Sequence, residues 1–167
     1  ELERLRQVDS AIFRSHTIDA TWPVAEGTAG MERALERVFG EADAALASGV
    51  NILILSDRAV GPERVGIPAA LVVSAVHHHL VREGTRLQTG LIAESGEPRS
   101  VHSVAVLVGY GAAAVNPYLM LETLGDLVAQ GQLPPEMTAE DAQRRAVKGI
   151  AKGLLKTMSK MGISTIP

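Results

Sequence analysis

Three apolar runs in this chain lack the polar/apolar alternation of a half-buried strand, and each stops on polar residues before a helical pattern begins. The first is Ile52, Leu53, Ile54 and Leu55, ending on Ser56, Asp57 and Arg58. The second is Leu91, Ile92 and Ala93, ending on Glu94 and Ser95, and the third runs from Ala112 through Val115 to Asn116. Such runs suit strands covered on both faces, the usual condition in a parallel sheet. Strands of that kind alternating with helices define parallel βα units. The expected fold class is therefore α/β, a single domain of parallel βα units, barrel-like or Rossmann-like in the manner of a partial TIM barrel. In these folds the residues just past the carboxyl ends of the strands carry the chemistry, so the same pattern also locates a candidate site.

The segments between the runs read as helices with recognisable ends. Thr28 opens a stripe of Met31, Leu35, Val38, Phe39, Ala42 and Leu46 that Gly49 stops. A second helix is expected from about Pro68 to Glu83, a third from Val101 to Val108, and a fourth from Tyr118 to Ala129. The last begins at a capping-box-like Thr138 and Asp141 and stops at Gly162, with Val147, Ile150, Leu154, Leu155, Met158 and Met161 as its apolar stripe. Before the first run, residues 1–14 suggest a charged helix or arm, and His16 to Trp22 a strand closed by Pro23. Residues 130–137, with Pro134 and Pro135, read as an exposed loop, and residues 163–166 as a further strand. A full barrel needs roughly 250 residues, so 167 allow about half of one, or one doubly wound sheet.

Composition narrows the function. Aromatic residues make up 3% of the chain, so the core is built from Val, Leu, Ile and Ala, and stacking platforms are scarce. A net charge of −3 gives no general attraction to nucleic acid or anionic membrane. The absence of cysteine removes disulfides, thiolate nucleophiles and cysteine-ligated iron–sulfur clusters, and is compatible with a cytoplasmic location. No apolar stretch reaches the ~20 residues of a membrane span. Glu1 at the start and an apolar tail at the end read as edges of a larger chain.

Four constellations invite chemistry. His77, His78 and His79 are consecutive, so on a helix they splay by about 100° each and cannot converge on one ion. Only His79 and Glu83 share a face at the spacing zinc sites use, and partly buried helix histidines are the better reading. Gly109, Tyr110 and Gly111 follow a helix and precede a strand, the reverse of a dinucleotide loop, whereas Gly27 and Gly30 sit between strand and helix, where a tight turn is favoured over an anion cradle. Lys148, Lys152, Lys156 and Lys160 form a basic ridge on the last helix, either solvated or matched to an acidic partner. Gly149 and Gly153 on the same helix suggest close approach by another segment. The strand-end set Asp57, Arg58, Glu94, Ser95 and Asn116 gathers at one mouth if the strands are parallel neighbours. It would serve as a small-molecule site or as a salt-bridged lid, and with no accompanying nucleophile, metal set or phosphate loop the lid is favoured.

Long strings match a known family: residues 50–58, 75–83, 109–118 and 152–165 resemble, in that order, the central domain of the glutamate synthase large subunit. The resemblance implies a parent enzyme that makes two glutamates from glutamine, 2-oxoglutarate and reducing equivalents. It implies an amidotransferase domain releasing ammonia, and a synthase barrel holding FMN and an iron–sulfur cluster. The central domain implied is an α/β relative of that barrel without flavin, with the other domains of the same large subunit as its partners and an electron-donor subunit or ferredoxin as a further candidate partner. The family's cysteine nucleophile and cluster ligands have no counterpart here, so no catalytic, cofactor-binding or metal-binding residue carries over.

Overall fold

The computed structural model describes residues 2–8, 10 and 12–166; Glu1, Asp9 and Ala11 of the expected N-terminal arm, and Pro167, lie outside them. The elements are α1 (Leu2–Arg6), β1 (Ser15–Asp19), β2 (Thr21–Pro23), α2 (Gly27–Ala47), β3 (Ile52–Ser56), β4 (Arg64–Gly66), α3 (Ala69–Arg82), β5 (Gly90–Glu94), α4 (Val101–Gly109), β6 (Ala114–Asn116), α5 (Tyr118–Ala129) and α6 (Ala139–Met161).

The apolar runs become β3, β5 and β6, and with β1 they form a four-stranded parallel sheet in the order β1-β3-β5-β6. Strand order follows chain order, and right-handed crossovers that always step the same way leave every connecting helix on one face. That is the winding of a barrel arc; a doubly wound sheet reverses direction and carries helices on both faces. The arc is open and does not close into a barrel. Ile18, Leu53, Leu55, Leu91 and Ala93 point to the helical face and pack with Val38 and Ala42 of α2 and Val72, Val73, Val76 and Leu80 of α3.

The opposite, inner face carries the aligned row Thr17, Ile54, Ile92 and Ala114. Ile54 and Ile92 are buried although no connecting helix lies there. The N-terminal arm covers this face. Leu2 and Leu5 of α1 line a groove with Ile92, Val115 and Leu121, Ser15 Oγ donates to Leu5 O at 2.6 Å, and Arg6 reaches Thr17 Oγ1 at 3.1 Å.

Two sequence expectations fail locally. The strand over residues 16–22 is two strands: at buried Ala20 the chain leaves the sheet, with its N–H bonded to Ser56 O and its carbonyl to Ile67 N–H, so that β2 pairs antiparallel with β4 instead. Residues 163–166 form no strand. Gly162 adopts φ 72°, and the amides of Gly162 and Ile163 bond back to Ser159 O and Met158 O, a Schellman closure that uses the Ile163 amide to end α6 rather than to start a ladder.

The capping reading of α6 holds, with Thr138 Oγ1 accepting from Asp141 N at 3.1 Å. Gly153 is a close-approach site, since a Cβ there would lie 2.3 Å from Val101 of α4, whereas one at Gly149 would meet nothing within 4 Å. The apolar stripe of α6 is only partly covered: Met158 is buried, but Val147, Leu155 and Met161 are exposed, because α6 meets the domain along the narrow seam at Gly153.

Candidate functional site

Parallel register places Asp19, Ser56, Glu94 and Asn116 in one row at the carboxyl ends of the four strands. Glu94, 1% exposed, is the hub. Its Oε2 accepts from Ser56 Oγ at 2.5 Å and from the Arg6 guanidinium, and its Oε1 accepts from Arg58 Nε at 2.7 Å and Asn116 Nδ2 at 3.4 Å. Arg58 also holds Glu122 Oε1 at 2.9 Å and lies over the Tyr118 ring, 4.1 Å from its centroid. Asp57, buried beside this row, accepts from Ser95 Oγ at 2.5 Å and from the Gly96 amide at 3.1 Å. A polar cleft of about 560 Å³ lies between α1 and these strand ends, lined by Arg6, Ser56, Arg58, Glu94 and Asn116.

The electrostatics follow from this wiring. Burial pushes the Glu94 carboxyl up, but the hydrogen bonds from Arg6, Ser56 and Arg58 outweigh it and hold the group below the ordinary carboxylate range. Arg58 is raised: burial lowers it, and the bonds to Glu94 and Glu122 more than compensate. Burial, then the Asp57 carboxylate, lifts the Tyr118 phenol to about 12. The mouth therefore holds an ionised acid with both oxygens engaged and a firmly protonated phenol. Neither is poised to exchange protons near neutrality, which is what acid–base catalysis requires.

The strand-end residues named from sequence, Asp57, Arg58, Glu94, Ser95 and Asn116, do come together. Sequence reasoning missed Ser56, Arg6, Tyr118 and Glu122. Ser56 had a signal, since it ends the same run as Asp57, and Tyr118 and Glu122 sit one turn apart just past Asn116. Arg6 had none, because it arrives from 88 residues away.

The histidines go separate ways. His79 Nε2 pairs with Asp43, at 2.9 Å to Oδ2, and its ring stacks on Phe39 at 4.6 Å, so its partner lies on α2 and not on its own helix. His77 Nδ1 accepts from Arg86 Nε at 2.9 Å, and Arg86 also donates to Thr89 O at 2.7 Å and Gly111 O at 2.9 Å. His78 is exposed. Among the described residues no three histidine or acidic side chains converge as a metal site would need. The glycine loops are spoken for as well. Gly111, at φ 109°, turns the chain into β6 against His77, and a Cβ on Gly30 would stand 2.5 Å from the Trp22 ring. Lys148, Lys152, Lys156 and Lys160 are all exposed on α6.

Fold and site together define an α/β domain: an arc of parallel βα units whose strand-end side chains are tied to one another by ion pairs. Over residues 1–167 the sequence matches the model of the glutamate synthase central domain, and the chain belongs to that family. It is 43% identical over 168 residues to a glutamate synthase [NADH] of Schizosaccharomyces pombe, covering 99% of this chain and 8% of that protein. It is 45% identical over 136 residues to a glutamate synthase [NADPH] large chain of Bacillus subtilis, covering 81% and 9%. A ferredoxin-dependent glutamate synthase of Oryza sativa subsp. japonica is 37% identical over 178 residues, covering 99% and 11%. The chain thus spans about a tenth of the length of these relatives.

The cysteine-ligated iron–sulfur cluster that the family resemblance implies does not fit this chain's residues, which include no thiolate to hold it.

Proposed function

We propose that this chain is the non-catalytic central domain of a glutamate synthase, a cytoplasmic oxidoreductase of glutamate and amino-acid biosynthesis that assimilates ammonia. The parent makes two glutamates from glutamine, 2-oxoglutarate and reducing equivalents, and its FMN and iron–sulfur cluster belong to other parts of the polypeptide. The chain joins the amidotransferase and synthase domains, fixes their spacing and lines part of the ammonia route between them. The observation that carries this reading is the saturation of Glu94, whose oxygens are shared among Arg6, Ser56, Arg58 and Asn116. An acid bound on every side is a fastening. The relatives support it too: they are named for NADH, NADPH and ferredoxin, and yet keep this domain at 37% to 45% identity, as a donor-independent role requires.

The test uses the full-length enzyme carrying Glu94→Gln. Glutamine hydrolysis and synthesis from added ammonia are each expected within about threefold of the parent, while glutamate formed per glutamine hydrolysed falls. Loss of a general acid or base costs roughly 10²–10⁴ in rate. A drop of that size in either half-reaction, with the fold intact, would make the mouth catalytic and overturn the reading.

A further inference from the structure

All four lysines of the chain stand in one row, Lys148, Lys152, Lys156 and Lys160 on α6, and every other basic side chain is an arginine. The division is functional as well as chemical. Arg6, Arg33, Arg37, Arg58, Arg64 and Arg144 each hold a carboxylate within the domain. Among the described residues none of the four lysines has an ion pair or hydrogen bond, and all are exposed. Four-residue spacing sets the charges about 6 Å apart along a ridge roughly 18 Å long. Like charges at that spacing repel, so the helix carries an arrangement that does not stabilise it alone.

Two further observations point to a covered surface. Leu155 stands 64% exposed at the edge of the ridge. At ~100° per residue it falls next to Lys148, and one turn from Lys152. Gly149, with open space around it, lowers the profile between Lys148 and Lys152 so that another backbone can approach.

We infer that the α6 ridge docks an acidic face of another domain of the same polypeptide. This rests on the multidomain reading above. Tethering decides between that occupant and a free one. An exposed ion pair supplies only a several-fold preference, and four of them with one apolar side chain at the edge fall short of a stable complex between separate molecules. At the roughly millimolar effective concentration of a linked domain they suffice. A chain that spans about a tenth of its relatives leaves ample polypeptide to supply the partner face. A nucleic acid is disfavoured because the ridge holds no aromatic side chain for stacking and the molecule is net negative.

Amine footprinting with acetic anhydride on the intact enzyme tests this without any substitution. Lys152 and Lys156 are expected to react at least about tenfold more slowly than in the same enzyme unfolded in urea. The protection should shrink several-fold in about 0.5 M salt, where screening is nearly complete. Lys152→Glu with Lys156→Glu should then raise the reactivity of Lys148 and Lys160. Rates equal to the unfolded reference, or protection that needs an added electron-donor protein, duplex DNA or phosphatidylserine vesicles, overturn the inference. Either failure leaves the half-reaction results on Glu94 untouched, so the two readings fail separately.

Discussion

Replacing Glu94 with glutamine removes one charge and almost no volume, which makes it the sharpest test of the mouth as a fastening. At pH 7 the wild-type carboxylate is 1% exposed and bonded to two guanidiniums, one hydroxyl and one amide. Breaking a fully buried ion pair costs ~3–5 kcal/mol. Arg6 and Arg58 keep 23% and 46% of their side chains in water, so they are partly rehydrated when the charge goes, and the expected loss is about 2–3 kcal/mol. For a domain of this size that corresponds to roughly 5–10 °C in Tm.

The pH dependence supplies the refutation. Because the folded pKa of Glu94 is depressed, its contribution is present above the ordinary value of 4.5 and is lost as pH falls through the lower folded value. Urea unfolding of the 167-residue chain and its Glu94→Gln variant, from pH 7 down to about 3, should therefore show two stabilities that converge below pH 4.5. A difference under ~0.5 kcal/mol at pH 7, or one that persists unchanged in acid, would mean that the charge does not fasten the mouth and that the argument from saturation fails.

A pair of glycines on α6 gives a built-in control. Gly149→Ala is expected to stabilise by about 0.5–1 kcal/mol through helix propensity, while Gly153→Val drives its side chain into Val101 and should cost ~1–3 kcal/mol, both read from urea midpoints. Arg86→Met strands the Thr89 and Gly111 carbonyls and His77 Nδ1 together, for an expected loss of about 2–4 kcal/mol in the same assay. His77 is itself held neutral, first by burial and then by Arg86 and His78, so folding resists its protonation and stability drops as pH falls below its ordinary 6.5. A histidine NMR titration should show a lower midpoint for His77 in the folded chain than in the chain unfolded in urea.

The legible parts of this fold are those whose cause is local. The runs at Ile52–Leu55 and Leu91–Ala93 announce buried parallel strands because no polar residue interrupts them, and Thr138 with Gly162 brackets α6 because caps are set by neighbours in sequence. The register row was legible at one remove: once the strands are parallel neighbours, Glu94 must face Ser56 and Asn116. What stayed hidden depends on distant groups. The break at Ala20 arises from hydrogen bonds to Ser56 and Ile67, and His79 prefers Asp43 of α2 to a residue on its own helix. The exposed half of the α6 stripe shows the same limit, since periodicity tells which face is apolar but not how much of it a neighbour will cover.

The arm across the inner face also sets an order of events. Arg6 emerges from the ribosome before its partner Glu94, which follows 88 residues later, roughly 4–18 s at ordinary elongation rates. Through that interval Ile54 has its strand but not its cover, and the nascent sheet shows an apolar side to the solvent. Closing the arm is a long loop with few bonds to reward it until β5 is in place, so it belongs late, after the helical face has packed. Damage at Arg6 should accordingly quicken unfolding while leaving the folding rate nearly as it was. Within this domain, the residues made early are the last to settle.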